Sequence, residues 1–334
     1  MKNLLYIGNR LEKHGFTPTS ADIMPSLLEK EGFVVTVASD KKNKGLRFLD
    51  MLWHTLQLFK NTQTFVLIDT YSTQNFIYAY SVAKMCLLLK IPYIHILHGG
   101  DLERRLRFKR NRKIFKNAYV NVVPSLFLQS KFNNYVPNLI YIPNSIPLKN
   151  YSFTERKFFS ASLLWVRAFQ EFYNPMLAIK VLEKLKIDYP EATLTMVGPD
   201  KDGALAVCRK YVADKNLPVI FTGKLSKPEW HKLSEKSDIF LNTTTIDNTP
   251  ISVIEAMALG LPIVSSKVGG IPFLIEDGKD GLLFKNNDEE ACLQQVLFII
   301  EQPEKAQQLV KKAREKVANF DWEEVKNAWH KILA

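Results

Sequence analysis

The chain has 334 residues and a mass of 38.4 kDa, a length that predicts two domains. Hydrophobic residues make up 46% of it and charged residues 24%, a composition that excludes an intrinsically disordered chain. Three widely separated cysteines, Cys86, Cys208 and Cys292, exclude a disulfide framework and a Cys-x-x-Cys metal site. They are typical of a protein from a reducing compartment.

The net charge of +11 comes entirely from one half of the chain. Residues 1–150 carry 21 Lys and Arg against 9 Asp and Glu, whereas residues 151–334 carry 24 against 25. We therefore expect the first half to meet a polyanion or an anionic surface, the alternative being an ordinary solvated basic face.

Two segments hold most of this basic excess, Lys41–Arg47 and Arg104–Lys113. The first leads into a helical pattern that carries Trp53, Leu56 and Phe59. Basic residues beside apolar ones favour a peripheral contact with anionic lipid, unless the apolar side of the helix belongs to the core. A nucleic-acid partner is disfavoured, because no recognition fold or stacking motif accompanies the charge.

Nothing in the sequence predicts a secreted or membrane-spanning protein. The first ten residues contain too few apolar side chains for a signal peptide. The most apolar long stretch, Phe76–Leu97, is interrupted by Lys84, Lys90 and Pro92, so it lacks the run of about 18 apolar residues that a transmembrane helix needs. The predicted location is the cytoplasm. A peripheral contact with the inner face of the membrane is a second option.

Short apolar runs alternate with helical patterns through the first half of the chain. The strand-like runs are Leu4–Gly8, Phe33–Ala38, Phe65–Asp69, Tyr93–Leu97 and Tyr119–Pro124. The helical patterns are Ser20–Glu31, Phe48–Phe59 and Gln74–Leu89. This alternation predicts an α/β fold with a parallel, doubly wound sheet.

A second α/β segment follows a break in the pattern. The prolines of Ile142–Pro147 suit a linker, so we place a domain boundary near residue 150. The later strand-like runs are Phe158–Leu164, Thr193–Val197, Val219–Thr222, Ile239–Asn242 and Pro262–Ser265. The predicted domains are residues 1–150 and 151–318. A helix is predicted at 319–334, with packing against the first domain as one option.

The strongest motif lies after the predicted strand Ile239–Asn242. Asp247 occupies the following loop, and a helix is predicted to begin near Pro250, so its first N–H groups can bind a phosphate or sugar oxygen. Glu255 lies in an almost wholly apolar part of that helix, where an unpaired carboxylate is costly. Alternatively, Asp247 is only a helix cap and Glu255 a surface charge.

This motif, Asp247-x7-Glu255-Ala-Met-Ala-Leu-Gly-Leu-Pro-Ile-Val followed by Gly269-Gly270, resembles the signature of family 4 of the retaining, nucleotide-sugar-dependent glycosyltransferases, the glycosyl transferases group 1. Further segments resemble the same family, and the resemblance covers essentially the whole chain. They are Ile142–Ile146, Met196–Gly198, Ser237–Phe240, Asp277–Phe284 and Phe320–Trp322.

The resemblance implies the GT-B fold, in which two Rossmann-like domains face each other across a cleft, the first binding the acceptor and the second the nucleotide sugar. It implies a metal-independent, hexosyltransferase-type enzyme without a cofactor. The acceptor would be a glycan or a lipid-linked molecule, in the synthesis of cell-surface polysaccharide or glycolipid. The alternatives are an epimerase or hydrolase of the same fold, and a non-catalytic protein that binds sugar nucleotides.

It also implies roles for residues of the second domain. Glu255 would hold the ribose hydroxyls, Asp247 would contact the transferred sugar as a catalytic residue, and Arg167 would neutralise the diphosphate. The other donor-binding residues would be Gly198, Asn248, Thr249, Ile251 and Ser252. Two departures from the family pattern concern this site: Asp247 replaces a glutamate, and a lysine that assists the arginine is absent after Arg167.

In the first domain, His98 follows a strand and matches the family's histidine beside the donor sugar, so it is the second predicted catalytic residue. The alternative is a histidine hydrogen-bonded at a strand end, and this applies more strongly to His95. The predicted acceptor-binding residues are His14, Gly15, Gly99, Arg104 and Arg105.

Overall fold

The computed structural model describes residues 3–16, 18–58, 64–99 and 101–333. Phe59, which ends a predicted helix, and Gly100, which follows Gly99, lie outside these ranges. The chain divides into two units, Met1–Pro143 with Asn327–Ala334, and Asn144–Lys326. Each unit contains one six-stranded sheet.

The first unit is built on a parallel sheet with the order β2-β1-β3-β4-β5-β6. Its strands are β1 Asn3–Ile7, β2 Val34–Ala38, β3 Phe65–Tyr71, β4 Tyr93–His98, β5 Val120–Val123 and β6 Leu139–Tyr141. The helices between them are α1 Ser20–Lys30, α2 Lys44–Gln57, α3 Phe76–Leu89, α4 Lys109–Lys116 and α5 Leu126–Phe132. Strand β2 lies on one side of β1 and strands β3 to β6 follow on the other side, so the strand order reverses between β1 and β3.

The second unit repeats this design with the parallel order β12-β11-β10-β7-β8-β9. Its strands are β7 Ser162–Val166, β8 Thr193–Val197, β9 Val219–Gly223, β10 Ile239–Asn242, β11 Ile263–Ser266 and β12 Leu282–Phe284. The α-helices are α6 Pro175–Asp188, α7 Ala204–Lys215, α8 Lys227–Ser234, α9 Ile251–Leu259, α10 Ile271–Leu274, α11 Glu289–Glu301, α12 Pro303–Ala318 and α13 Trp322–Leu333. Here the order reverses between β7 and β10.

The predicted α/β class with two doubly wound parallel sheets is confirmed. The central strands are buried on both faces, which is why the sequence shows them as continuous apolar runs. In open sheets of this kind, ligands bind beyond the carboxyl ends of the strands where the order reverses. Each unit therefore has one edge at which functional side chains are expected.

Several predicted boundaries were wrong for local reasons. The first strand of the second unit begins at Ser162, not at Phe158, whose side chain is 80% exposed. Helix α2 begins at Lys44 because the side chain of Asn43 accepts hydrogen bonds from the amides of Gly45 and Leu46. Strands β6 and β12 are short, and no alternation signalled them.

Helix α13 contributes to both units, since its residues up to Lys326 group with the second unit and those from Asn327 with the first. In the first unit, His330 Nε2 lies 3.1 Å from Glu31 Oε2. Among the residues that the structure describes, no helix is both long and apolar enough to cross a lipid bilayer.

Candidate functional site

The loops after β7 and β10 meet where the strand order of the second unit reverses. Arg167 follows β7 directly, and its guanidinium forms an ion pair with Asp247, which lies in the loop after β10. The guanidinium carbon also lies 4.7 Å from the centre of the Tyr173 ring. Burial raises the pKa of Asp247, while Arg167 and the amide of Asn248 oppose that rise. The two residues predicted to contact diphosphate and sugar are thus brought together.

Glycines allow the surrounding backbone to approach this pair. A Cβ atom added to Gly198, after β8, would lie 1.8 Å from the carbonyl oxygen of Arg167. One added to Gly269 would lie 2.1 Å from the carbonyl oxygen of Asp247, and one added to Gly270 would lie 1.8 Å from that of Asn248. No larger residue fits at these positions without moving the loops, which gives the Gly-Gly pair of the motif a steric reason.

Hydrogen bonds of threonine side chains fix the start of the same loop. Thr243 Oγ1 accepts a hydrogen bond from Trp165 Nε1 at 3.0 Å and donates to the carbonyl oxygen of Asn174 at 2.8 Å. Thr244 Oγ1 donates to the carbonyl oxygen of Ile246 at 2.7 Å. The Thr-rich stretch therefore orders the backbone that presents Asp247.

Helix α9 begins beside Asp247. The amide groups of Ile251 and Ser252 lie in its first turn, where helix geometry provides no carbonyl acceptor for them. The hydroxyl of Ser252 is buried and has no hydrogen-bond partner among the described residues. By contrast, the amide of Asn248 donates to Asp247 Oδ1 at 2.8 Å. Thr249 lies in the loop between them.

Glu255 is not a surface charge, since it is only 4% exposed. Its Oε1 accepts a hydrogen bond from the Tyr151 hydroxyl at 2.8 Å and lies 2.6 Å from Lys227 Nζ. The His231 ring packs on that of Tyr151 with centroids 4.7 Å apart, and burial lowers the pKa of His231, although Glu255 opposes this. Sequence reasoning missed Tyr151, Lys227 and His231, because no local pattern ties them to a helix so distant in sequence.

In the first unit, His98 ends β4 and contacts a carboxylate. Its Nε2 lies 2.8 Å from Oδ1 of Asp69, a residue in β3 that sequence reasoning did not single out. The only sequence signal for it is an acidic residue at the end of a strand that is otherwise apolar. His95 lies in the core, where its Nδ1 is 2.8 Å from Thr70 Oγ1 and burial lowers its pKa to about 3.

Of the predicted acceptor-binding residues, Gly99 and Arg105 lie at one loop. Arg105 donates hydrogen bonds to the carbonyl oxygens of Ser72 and Thr73 at 2.8 and 3.0 Å. A Cβ atom added to Gly99 would lie 2.9 Å from Ser72 Oγ. The side chain of Arg104 is 72% exposed, with Nε 2.8 Å from Asp101 Oδ1. Arg105 thus stabilises the loop after β3, whereas Arg104 points to solvent.

The other two lie on the loop after β1. His14 Nε2 is 2.9 Å from the carbonyl oxygen of Asp40. Gly15 ends a short 3-10 helix with a φ of +82°, a conformation that favours glycine. Within residues 3–16, 18–58, 64–99 and 101–333, no group of three or more His, Cys, Asp or Glu side chains is placed to hold a metal ion.

The family described as Glycosyl transferases group 1 matches residues 160–316, the segment that contains the site of the second unit except Tyr151. This segment of the chain belongs to that family. The match includes Arg167, Gly198, Asp247 and Glu255.

Individual relatives agree with this assignment. Sulfoquinovosyl transferase SQD2 of Arabidopsis thaliana is 29% identical over 148 residues, which are 43% of this chain and 28% of that protein. Trehalose synthase of Thermococcus litoralis is 31% identical over 148 residues, which are 42% of this chain and 35% of that protein. The chain thus matches about a third of the length of these relatives.

A solved structure extends the similarity of fold to the whole chain. Anabaena Alr3699/HepE in complex with UDP has a TM-score of 0.80 at 16% sequence identity, over 100% of this chain and 99% of that one. The chain therefore has the GT-B fold that the sequence predicts.

Removal of the arginine charge tests the electrostatics of the ion pair. In Arg167→Gln, burial of Asp247 is no longer opposed by the guanidinium, so we expect the pKa of Asp247 to rise further above that of an ordinary aspartate. Carbon-13 NMR titration of the aspartate carboxyl groups measures this, with Asp247→Asn assigning the signal. Lys227→Gln is the matched control, because it removes the positive charge beside Glu255 and leaves Arg167 in place. If the pKa of Asp247 stays constant or falls in Arg167→Gln, the expectation is contradicted.

Proposed function

We propose that the chain transfers a sugar from a nucleoside diphosphate donor to a hydroxyl group of a glycan or lipid-linked acceptor, with the anomeric configuration retained. The bond from the anomeric carbon to the diphosphate breaks, a bond to the acceptor oxygen forms, and the acceptor proton leaves with the diphosphate. Membership of the family supports this proposal. So does the fold shared with the Anabaena protein, whose structures are described as complexes with UDP and with UDP-glucose.

The buried carboxylate of Glu255 is the observation that carries the proposal. Both of its contacts fall on Oε1, and Oε2 has no hydrogen bond to a described residue. Oε2 can therefore accept hydrogen bonds from a ligand, and the hydroxyl groups of a ribose are suitable donors. Lys227 would keep the charge of Glu255 compensated while the nucleoside is absent.

The ion pair would act on the other end of the donor. Arg167 would stabilise the negative charge that develops on the leaving diphosphate, together with the first-turn amides of Ile251 and Ser252. Asp247 would contact the sugar that is transferred. This division of roles needs no metal ion and no cofactor beyond the nucleotide sugar itself.

The first unit would supply the acceptor side, with residues 1–150 acting as the acceptor domain and residues 151–318 as the donor domain. His98 would contact the sugar, and His14, Gly15, Gly99 and Arg104 would approach the acceptor. Arg105 would act by holding the loop at Ser72 through its bonds to backbone carbonyls.

Exchanging each carboxylate for its amide separates binding from reaction. We expect Glu255→Gln to weaken the binding of free UDP by about 10- to 150-fold, because a hydrogen bond to a charged group contributes about 1.5 to 3 kcal/mol. Asp247→Asn should bind free UDP about as well as the wild type and lose turnover with the sugar-bearing donor. Calorimetry with UDP and steady-state kinetics with UDP-glucose and other UDP-sugars measure the two effects.

Glu290→Gln is the matched control, since this carboxylate of the same unit has a side chain that is 62% exposed. It should change neither quantity. The proposed roles are reversed if Asp247→Asn abolishes UDP binding while Glu255→Gln does not. Release of free sugar or an epimer without an acceptor would instead identify a hydrolase or epimerase, and binding without any turnover would identify a non-catalytic binding protein.

Metal independence has a direct test. Because charge neutralisation is assigned to Arg167 and the start of α9, turnover should persist at full rate in excess EDTA after prior dialysis against chelator. Loss of turnover that magnesium or manganese restores would overturn this part of the proposal.

We also propose a peripheral contact of the first unit with anionic lipid. One face of α2 exposes Leu46, Leu49, Trp53 and Leu56, and the preceding lysines are exposed beside it. Helices α2 and α4, which adjoin or carry part of the two basic segments, both pack against α3. Apolar side chains ringed by lysine and arginine fit a negatively charged bilayer surface.

Vesicle binding checks this surface. Leu49→Ser with Trp53→Ser should weaken binding to vesicles of phosphatidylcholine and phosphatidylglycerol. Replacement of the exposed Arg104, Arg107 and Arg110 by Ser should do so by about fivefold per residue at low salt, because each basic residue contributes about 1 kcal/mol. Ile187→Ser, on an exposed apolar residue of the second unit, is the control. Equal binding of the vesicles by all variants and the wild type would show that the basic segments are an ordinary solvated face.

A further inference from the structure

A carboxylate in the first unit is buried beside His98 at the point where the strand order reverses. Asp69, near the end of β3, is 5% exposed. Its Oδ1 accepts hydrogen bonds from His98 Nε2 at 2.8 Å and from the Tyr6 hydroxyl at 2.9 Å. Its Oδ2 is buried and has no hydrogen-bond partner among the described residues. Such a carboxylate is expensive for the stability of the unit, which argues for a role beyond packing.

The neighbours of Asp69 leave its side chain little freedom. The hydroxyl of Tyr6 also lies 2.8 Å from Ser20 Oγ. Burial, with a further contribution from Asp69, raises the pKa of Tyr6 well above its usual value, so this hydroxyl stays a donor. A Cβ atom added to Gly8 would lie 2.7 Å from Asp69 Oδ2, so only glycine at this position leaves room for the carboxylate.

The ring of His98 is held both at its edge and on its face. Asp69 accepts at Nε2, and the Tyr71 ring stacks on the imidazole with centroids 4.8 Å apart and an interplanar angle of 21°. Because a carboxylate oxygen accepts, Nε2 carries the hydrogen and Nδ1 of the neutral ring keeps its lone pair. Nδ1 forms no hydrogen bond within the part of the chain that the structure describes.

We propose that Asp69 is a positioning residue for His98 in the transfer reaction, an inference that rests on the function proposed above. The carboxylate fixes the tautomer and orientation of the imidazole, so that Nδ1 is the nitrogen available to a sugar hydroxyl. Tyr6 holds the carboxylate in place by its hydrogen bond, Gly8 leaves space for the carboxylate, and Tyr71 restricts rotation of the imidazole ring. Asp69 acts through His98 and does not itself contact the reacting atoms.

A double-mutant cycle tests whether Asp69 acts through His98. We expect Asp69→Asn to lower kcat by about 10- to 100-fold, as the loss of a group that orients a functional histidine does at metal sites. His98→Phe removes both ring nitrogens and keeps an aromatic ring against Tyr71. In that background, Asp69→Asn should cause no further loss. An equal loss in both backgrounds would overturn the inference.

Asp50→Asn is the matched control, since Asp50 Oδ1 lies 3.7 Å from His54 Nδ1 on α2 of the same unit. It should leave kcat unchanged. The Kd of UDP should change less than twofold in every variant, because the nucleotide site is assigned to the second unit.

Nitrogen-15 NMR of the histidine rings provides a second readout that needs neither turnover nor an altered Asp69. With His98→Phe assigning the signals, the wild type should show His98 protonated at Nε2 and not at Nδ1 when the ring is neutral. The opposite tautomer would overturn the inference even in an active enzyme. Absence of turnover by the wild type with every donor would count against the proposed function alone.

Discussion

Close contact between backbone segments is the constraint on which the candidate donor site depends. Gly198 meets the carbonyl of Arg167, and Gly269 and Gly270 meet those of Asp247 and Asn248. Four loops converge only because these three positions have no side chain. Their convergence places Arg167 and Asp247 beyond the carboxyl ends of β7 and β10, where the strand order of the sheet reverses. The chemistry of the site is thus a consequence of how little space the glycines occupy.

The two units use the same position in the sheet for different chemistry. In the second unit, the loops beside the reversal hold an arginine against an aspartate, which suits a ligand with negative charge. In the first unit, the same position holds an aspartate against a histidine and a tyrosine, which suits a ligand with hydroxyl groups. Repetition of one architecture therefore creates two edges, and the residues at the strand ends decide what each edge can bind.

The central strands and the motif around Asp247 could be predicted from sequence because their signals are local. Thr193–Val197 and Ile239–Asn242 are apolar runs of the length of a strand, and both bounds agree with the structure. Phe158 was wrongly included in a strand because it is apolar, although its side chain is exposed in the structure. The partners of Glu255 and His98 could not be predicted, because Tyr151, Lys227 and Asp69 come close to them only in the folded chain. Sequence patterns indicate that a buried carboxylate needs partners and do not name them.

The division of α13 between the units has a consequence for how the protein is made. The second unit is one continuous segment, so it can fold once that segment has been synthesised. The first unit includes residues 327–333, which follow the whole of the second unit in sequence. The contacts of these residues within the first unit therefore close a very long loop. They can form only after the whole second unit has been translated. The unit that begins the chain is the later of the two to be completed.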